Sequence, residues 1–127
     1  MRYLIALLLA LVILALLYFA LFRRDGGGSE PLYKITTQEL WEKSRGSSTL
    51  LLSPADTPFI HLAEKEDVGK TIAKFFPEEE QVVVLTIDPA KLVGRLVKEG
   101  NPGGSKEYYH LYEGSIPMRA ITAVELR

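Results

Sequence analysis

No cysteine occurs among the 127 residues, which excludes disulfide staples and thiolate metal sites. Histidine is nearly as scarce: only His61 and His110 are present. Two imidazoles without cysteine or a helical histidine pair fall short of a zinc ligand set, so no metal site is predicted. A basic surplus is missing too. The formal net charge is -1, three of the arginines lie outside the soluble part, and no basic stripe is visible, so no nucleic-acid partner is expected. The chain lacks a nucleophile elbow, a metalloprotease motif, a dinucleotide fingerprint and any internal repeat. Its glycine-rich stretch, residues 100–104, precedes no predicted helix and lacks a P-loop lysine, and reads as a plain turn.

Charge is absent from Tyr3 through Phe22. This run of Leu, Ala, Ile, Val and aromatics holds about 20 residues, roughly 30 Å as a helix, enough to cross a bilayer. A secretory signal has a shorter apolar core and a small-x-small cleavage site; here Ala20, Leu21 and Phe22 run directly into Arg23 and Arg24. The expectation is a single-pass anchor with the lipid bilayer as partner, and Tyr3, Tyr18 and Phe19 at its two interfaces. Residues 1–24 form the anchor with its arginines, 25–30 a Gly/Ser linker and 31–127 one soluble domain. Arg2 opposes Arg23 and Arg24, leaving the positive-inside bias nearly balanced. The lack of cysteine suits a reducing compartment, so the domain is expected on the cytoplasmic side.

The soluble part predicts a small mixed-sheet α+β domain. Residues 32–35 read as a strand, followed by a helix capped by Thr36 with Glu39 in capping-box spacing and anchored in the core by Leu40 and Trp41. Two prolines and an aspartate in residues 53–58 make a loop leading into a strand at 59–62. A helix starts near Glu64, with Val68, Ile72 and Phe75 at helical spacing and Pro77 as its stop. Residues 81–87 are apolar on both faces and predict a central strand covered on both sides. Asp88 and Pro89 cap a short helix. Further strands are expected at 97–99, at 108–112, with Tyr108, His110 and Tyr112 on one face, and at 120–126.

Both histidines fall on predicted strands. If they converge on a cleft, the pair can bind a sugar, phosphate or carboxylate; the alternative is two separate core imidazoles, each satisfied by a backbone carbonyl. Tyr108 and Tyr112 can stack a flat ring, although strand aromatics are more often core. Glu78, Glu79 and Glu80 read as a solvated loop.

Several motifs occur in order: Tyr33-Lys34-Ile35-Thr36 before a tryptophan-bearing helix, Phe59-Ile60-His61-Leu62, Ile87-Asp88-Pro89 with Leu92, Glu99 before a glycine turn, and His110-Leu111-Tyr112. Together they resemble the small bacterial domain of unknown function 952 family over residues 32–127. That family is grouped with ADP-ribosyltransferase-like proteins, which bind NAD or related nucleotides in a cleft between two small sheets. The resemblance implies a cleft with Lys34, His61, His110 and Tyr112 as nucleotide-binding residues. It also implies Glu99, His61 and His110 as catalytic residues, with Glu99 steadying an oxocarbenium-like ribose, His61 orienting the ribose or phosphates, and Tyr112 stacking on the base. The alternative function is a non-catalytic, membrane-tethered binding or scaffold module. Two departures from the family pattern stand out: Ala63 replaces a frequent serine, and Glu113 separates Tyr112 from Gly114.

Overall fold

Strands of very different burial, from residues 83–87, almost wholly enclosed, to 121–126, almost wholly exposed, are sorted onto two sheets. The structure, a computed structural model, describes the backbone of residues 1–22 and 29–127 and the side chains of 1–18 and 29–127. Arg23, Arg24 and residues 25–28 of the expected linker lie outside the described residues.

Helix α1 (Arg2–Phe22) contains neither glycine nor proline and is rich in strong helix formers. Its described side chains expose half or more of their surface, from 51% at Leu17 upward. Among the described residues, no helix is long and apolar enough to cross a membrane; the described side chains of α1 stop at Tyr18, short of its backbone end at Phe22.

The first sheet places β3 (Val83–Ile87) between β1 (Leu32–Thr36) and β6 (Ile121–Leu126). In the second sheet, β5 (Glu107–Ser115) runs between β2 (Ile60–Leu62) and β4 (Val93–Gly100). Every strand pairing is antiparallel, so two separate antiparallel sheets replace the single mixed sheet expected. The physical cause lies partly in β4 and β5. Both run well beyond the short segments predicted, and the turn between them lets them form one long hairpin that needs no partner from the first sheet.

The strand β3 is covered on both faces, as its composition requires. Val83, Leu85 and Ile87 join Leu32, Ile60, Leu62 and Leu111 in one core cluster, against which Trp41 packs. Val82 and Val84 face a second cluster with Ile35, Val68, Ile72 and Phe76. Helix α2 (Gln38–Ser44) is capped by Thr37, whose hydroxyl accepts from Leu40 N at 3.2 Å. Thr36 is instead the last residue of β1, buried and paired with Val83, which moves the cap one residue on. Helix α3 (Val68–Phe75) follows a 3-10 turn at Lys65–Asp67. Phe75, expected in its core face, is 63% exposed; Phe76 takes the apolar contact, because the helix ends there and the backbone turns it inward.

One irregularity sets how the long hairpin pairs. Val93 faces Ser115 and Arg95 faces Tyr112, so Glu113 and Gly114 stand opposite Gly94 alone. Two residues against one is a β-bulge, and Glu113 has the positive φ (50°) such a bulge requires. Glu113, which separates Tyr112 from Gly114, is thus taken up in the bulge. The two backbones meet so closely here that a Cβ on Gly114 would lie 1.9 Å from Val93 O and 2.9 Å from Gly94 Cα. Gly114→Ala is therefore expected to destabilise the domain by about 2–3 kcal/mol. Gly69→Ala, in α3 with nothing within 4 Å of the added methyl, should be neutral or stabilise by up to about 1 kcal/mol. Urea unfolding followed by Trp41 fluorescence measures both.

Candidate functional site

Lys34 points from β1 into the protein with 7% of its surface exposed. A buried ammonium needs a counter-charge. Asp56 supplies it from the loop before β2: its Oδ1 accepts from Lys34 Nζ at 2.8 Å. The same oxygen accepts from His61 N at 3.0 Å and lies 3.1 Å from His61 Nδ1. Lys34 Nζ also donates to His61 O at 3.1 Å. Since a carboxylate only accepts, the proton of that contact sits on Nδ1, and His61 presents Nε2 as its second ring nitrogen. The ring is roughly half exposed.

The sheets meet at the Tyr33–Ala63 bridge, whose two backbone hydrogen bonds are both 2.8 Å. Ala63 contributes its backbone to this junction and is buried. Beside the bridge, His61 on β2 faces His110 on β5 as a cross-strand pair, with ring centroids 5.8 Å apart. His110 is buried, and Phe59 stacks over it at 3.9 Å. Its Nδ1 lies 2.8 Å from Glu99 Oε1 on β4, so by the same reasoning Nδ1 carries the proton. Tyr112 donates its hydroxyl proton to that oxygen too. His110 Nε2 is left buried without a hydrogen-bond partner, an uncommon state for a polar atom.

These contacts set the charges. Burial alone pushes the Asp56 carboxyl up, but the hydrogen bond from His61 and the charge and hydrogen bond of Lys34 outweigh it and hold the group at about 2. Burial lowers Lys34, with Asp56 opposing. Hydrogen bonds from Tyr112 and then His110 hold Glu99 below the usual carboxylate range, and the bond to Glu99 raises Tyr112. Both carboxylates are therefore ionised at neutral pH.

A cavity of about 410 Å³ opens between β1, β2, β5 and α3, and Lys34, Asp56, His61 and His110 share its wall. Lys70, Lys74 and Lys106 also line it, and Lys106 is drawn to Asp67 at the foot of α3. Of the residues expected to form the cleft, Lys34, His61 and His110 border this space. Glu99 and Tyr112 do not: they stand on the Nδ1 side of His110. Arg95 lies over the Tyr112 ring at 4.7 Å, because the bulge leaves Arg95 directly across from it.

Residues 35–124 match the family described as "Protein of unknown function (DUF952)". The chain belongs to this family. The DUF952 match takes in His61, Glu99, His110 and Tyr112, while Lys34 lies just before it. Among solved structures, the chain is similar to protein CC0527 from Caulobacter crescentus, at 27% identity and a TM-score of 0.65, covering 75% of this chain and 83% of that one. A double mutant of the same protein is similar at 26% identity, with the same TM-score and coverage. No curated protein matches. Among the described residues there is no cluster of His, Cys, Asp or Glu that could hold a metal ion.

Sequence reasoning missed Asp56 and Phe59. Asp56 sat in a segment read only as a turn, and the available signal was the unpaired charge of Lys34 on a strand that had to be buried. Because Asp56 titrates near 2 in the folded chain and near 3.8 ordinarily, its stabilisation is complete above the ordinary value and fades as pH falls toward 2, by about 2 kcal/mol in all. Asp56→Asn should cost about 3 kcal/mol at pH 7 by leaving Lys34 unpaired. It should also flatten the loss of unfolding free energy between neutral pH and pH 3, read by urea titration at each pH.

Proposed function

We propose that the cavity binds a ribose-bearing, phosphate-bearing nucleotide such as NAD, held beside a bilayer by α1. The observation that carries the binding site is the convergence of Lys34, His61 and His110 on one concave space, with the Nε2 of His110 left without a partner. A nucleotide offers hydroxyls that donate and phosphates that accept, and the walls offer the matching groups: imidazole nitrogens, an ammonium and lysines at the margin. The volume falls within the range of small-molecule sites. The grouping with ADP-ribosyltransferase-like proteins agrees with a cleft at the junction of two small sheets. It is fold kinship only, and carries the choice of NAD as the first ligand to try.

The anchoring half of the proposal rests on α1. Its backbone is helical over 21 residues, roughly 31 Å at 1.5 Å per residue, and its described side chains after Arg2 are uncharged, mostly apolar and unburied by the domain. Exposed hydrocarbon on this scale is stabilised in lipid by tens of methylene-sized increments. The lack of cysteine, which suits a reducing compartment, favours the cytoplasmic side for the domain.

Two measurements test the reading. Titration of the detergent-solubilised full chain with NAD and ADP-ribose should show saturable binding, weakened by about 1–3 kcal/mol in His61→Ala, whose melting temperature should move little. A folded chain that binds neither ligand would leave a scaffold module in its place. Membranes washed with alkaline carbonate and high salt should retain the protein, and detergent should release it. Recovery of a soluble form beginning near Asp25 would overturn the anchor.

A further inference from the structure

The two histidines repeat one arrangement. His61 is fixed through Nδ1 by Asp56, and His110 is fixed through Nδ1 by Glu99. A carboxylate on Nδ1 sets the tautomer, locks the ring orientation and steadies the imidazolium when the other nitrogen takes a proton. Nothing in the fold requires two such pairs, since one backbone carbonyl would satisfy each Nδ1. They stand opposite each other as cross-strand neighbours, with ring centres 5.8 Å apart and the rings edge to face, and both border the same cavity. The pairs are unequal. His110 is buried, its Nε2 out of water's reach under Phe59, whereas the His61 ring is open to the cavity. Between β1 and these rings, Lys34 uses two of its three donors on Asp56 and His61 O, which leaves one.

From this we infer that the DUF952 site is an acid–base pair for metal-independent cleavage of a ribonucleotide phosphodiester, with His110 as base, His61 as acid and Lys34 on the phosphoryl oxygens. The inference rests on the nucleotide-binding reading above and adds a reaction to it. His110 Nε2, reached when the substrate displaces the Phe59 ring, takes the proton of the ribose 2′-hydroxyl. The 2′-oxygen bonds to phosphorus, the phosphorus–O5′ bond breaks, and protonated His61 gives its Nε2 proton to the departing O5′. The products are a 2′,3′-cyclic phosphate and an alcohol, and no co-reactant is consumed. A buried base shielded from water suits the first transfer, and an open, carboxylate-backed imidazole suits the second. Glu99 and Asp56 are positioning residues.

The choice of leaving group separates acid from base. The full-length chain in detergent is assayed with uridylyl-(3′,5′)-adenosine, whose alkoxide leaving group needs a proton, and with uridine 3′-(4-nitrophenyl phosphate), whose phenolate does not. Wild type should cleave both to the cyclic phosphate and leave the 2′-deoxy dinucleotide intact. His110→Ala should lower both rates by about 10²–10⁴-fold. His61→Ala should lower the dinucleotide rate by a similar factor, yet leave the nitrophenyl ester within about tenfold and remove one limb of a bell-shaped pH profile. If His110→Ala fails to fold, Glu99→Gln decides the base: it should slow both substrates about tenfold or more and move the other limb. A folded wild type that binds uridine 3′-phosphate but cleaves neither substrate overturns the inference and leaves the binding reading standing. A wild type that cleaves neither substrate and binds none of uridine 3′-phosphate, NAD and ADP-ribose overturns both. Equal losses on the two substrates in His61→Ala would overturn the assignment of the acid.

Discussion

The Oδ1 atom of Asp56 is the point on which the rest of the soluble domain depends. One oxygen receives Lys34 from the first sheet and both the backbone and the ring of His61 from the second. The two sheets share little else in hydrogen bonding beyond the Tyr33–Ala63 bridge. Isolated in a protein interior, either charge would cost several kcal/mol, and only their mutual attraction plus the added hydrogen bonds offset that cost. The geometry of the cavity is therefore set by an electrostatic requirement: wherever Lys34 is buried, Asp56 must follow, and the loop that carries Asp56 delivers His61 and Phe59 with it.

The second sheet solves a related problem with backbone alone. On β5, Leu111 fills the core and its neighbours His110 and Tyr112 turn the other way, toward Glu99 and Phe59. The strand can hold both sets only while its register against β2 and β4 is fixed. The pairing of Ile60 with Leu111 and of His61 with His110 shows how the apolar pair secures the polar one. Glu99 reaches His110 diagonally from β4, and Tyr112 donates to that carboxylate, so the two together hold the imidazole ring from its Nδ1 side.

Much of this was legible in the chain. Elements marked by a strong local rule appear where expected: β3 by its unbroken apolar run and the 3-10 turn at Pro89–Lys91 by the Asp88 cap. The histidines were the right residues to question, because a titratable ring on a strand must either be satisfied or do something. Four features were not legible. The shift of the α2 cap from Thr36 to Thr37 was decided by strand pairing with Val83, which local propensity does not see. The exposure of Phe75 was decided by where α3 ends. Asp56 was hidden because its significance comes from a lysine 22 residues earlier, and no window of sequence contains both. The distinction between Glu99 as a cavity residue and as a partner of His110 also required the register of β4 on β5.

The bulge at Glu113 and Gly114 has a bearing on how such a domain can change over generations. An added residue within β5 upstream of it would carry His110 to the hydrophobic side and Leu111 to the polar one, ruining core and cavity in a single step. Beyond Tyr112 the strand has already left the histidines, and one more residue can be looped out against Gly94 at the cost of a glycine. Length variation is thus steered to one place, and lineages can drift in chain length there while the chemistry-bearing face is inherited intact.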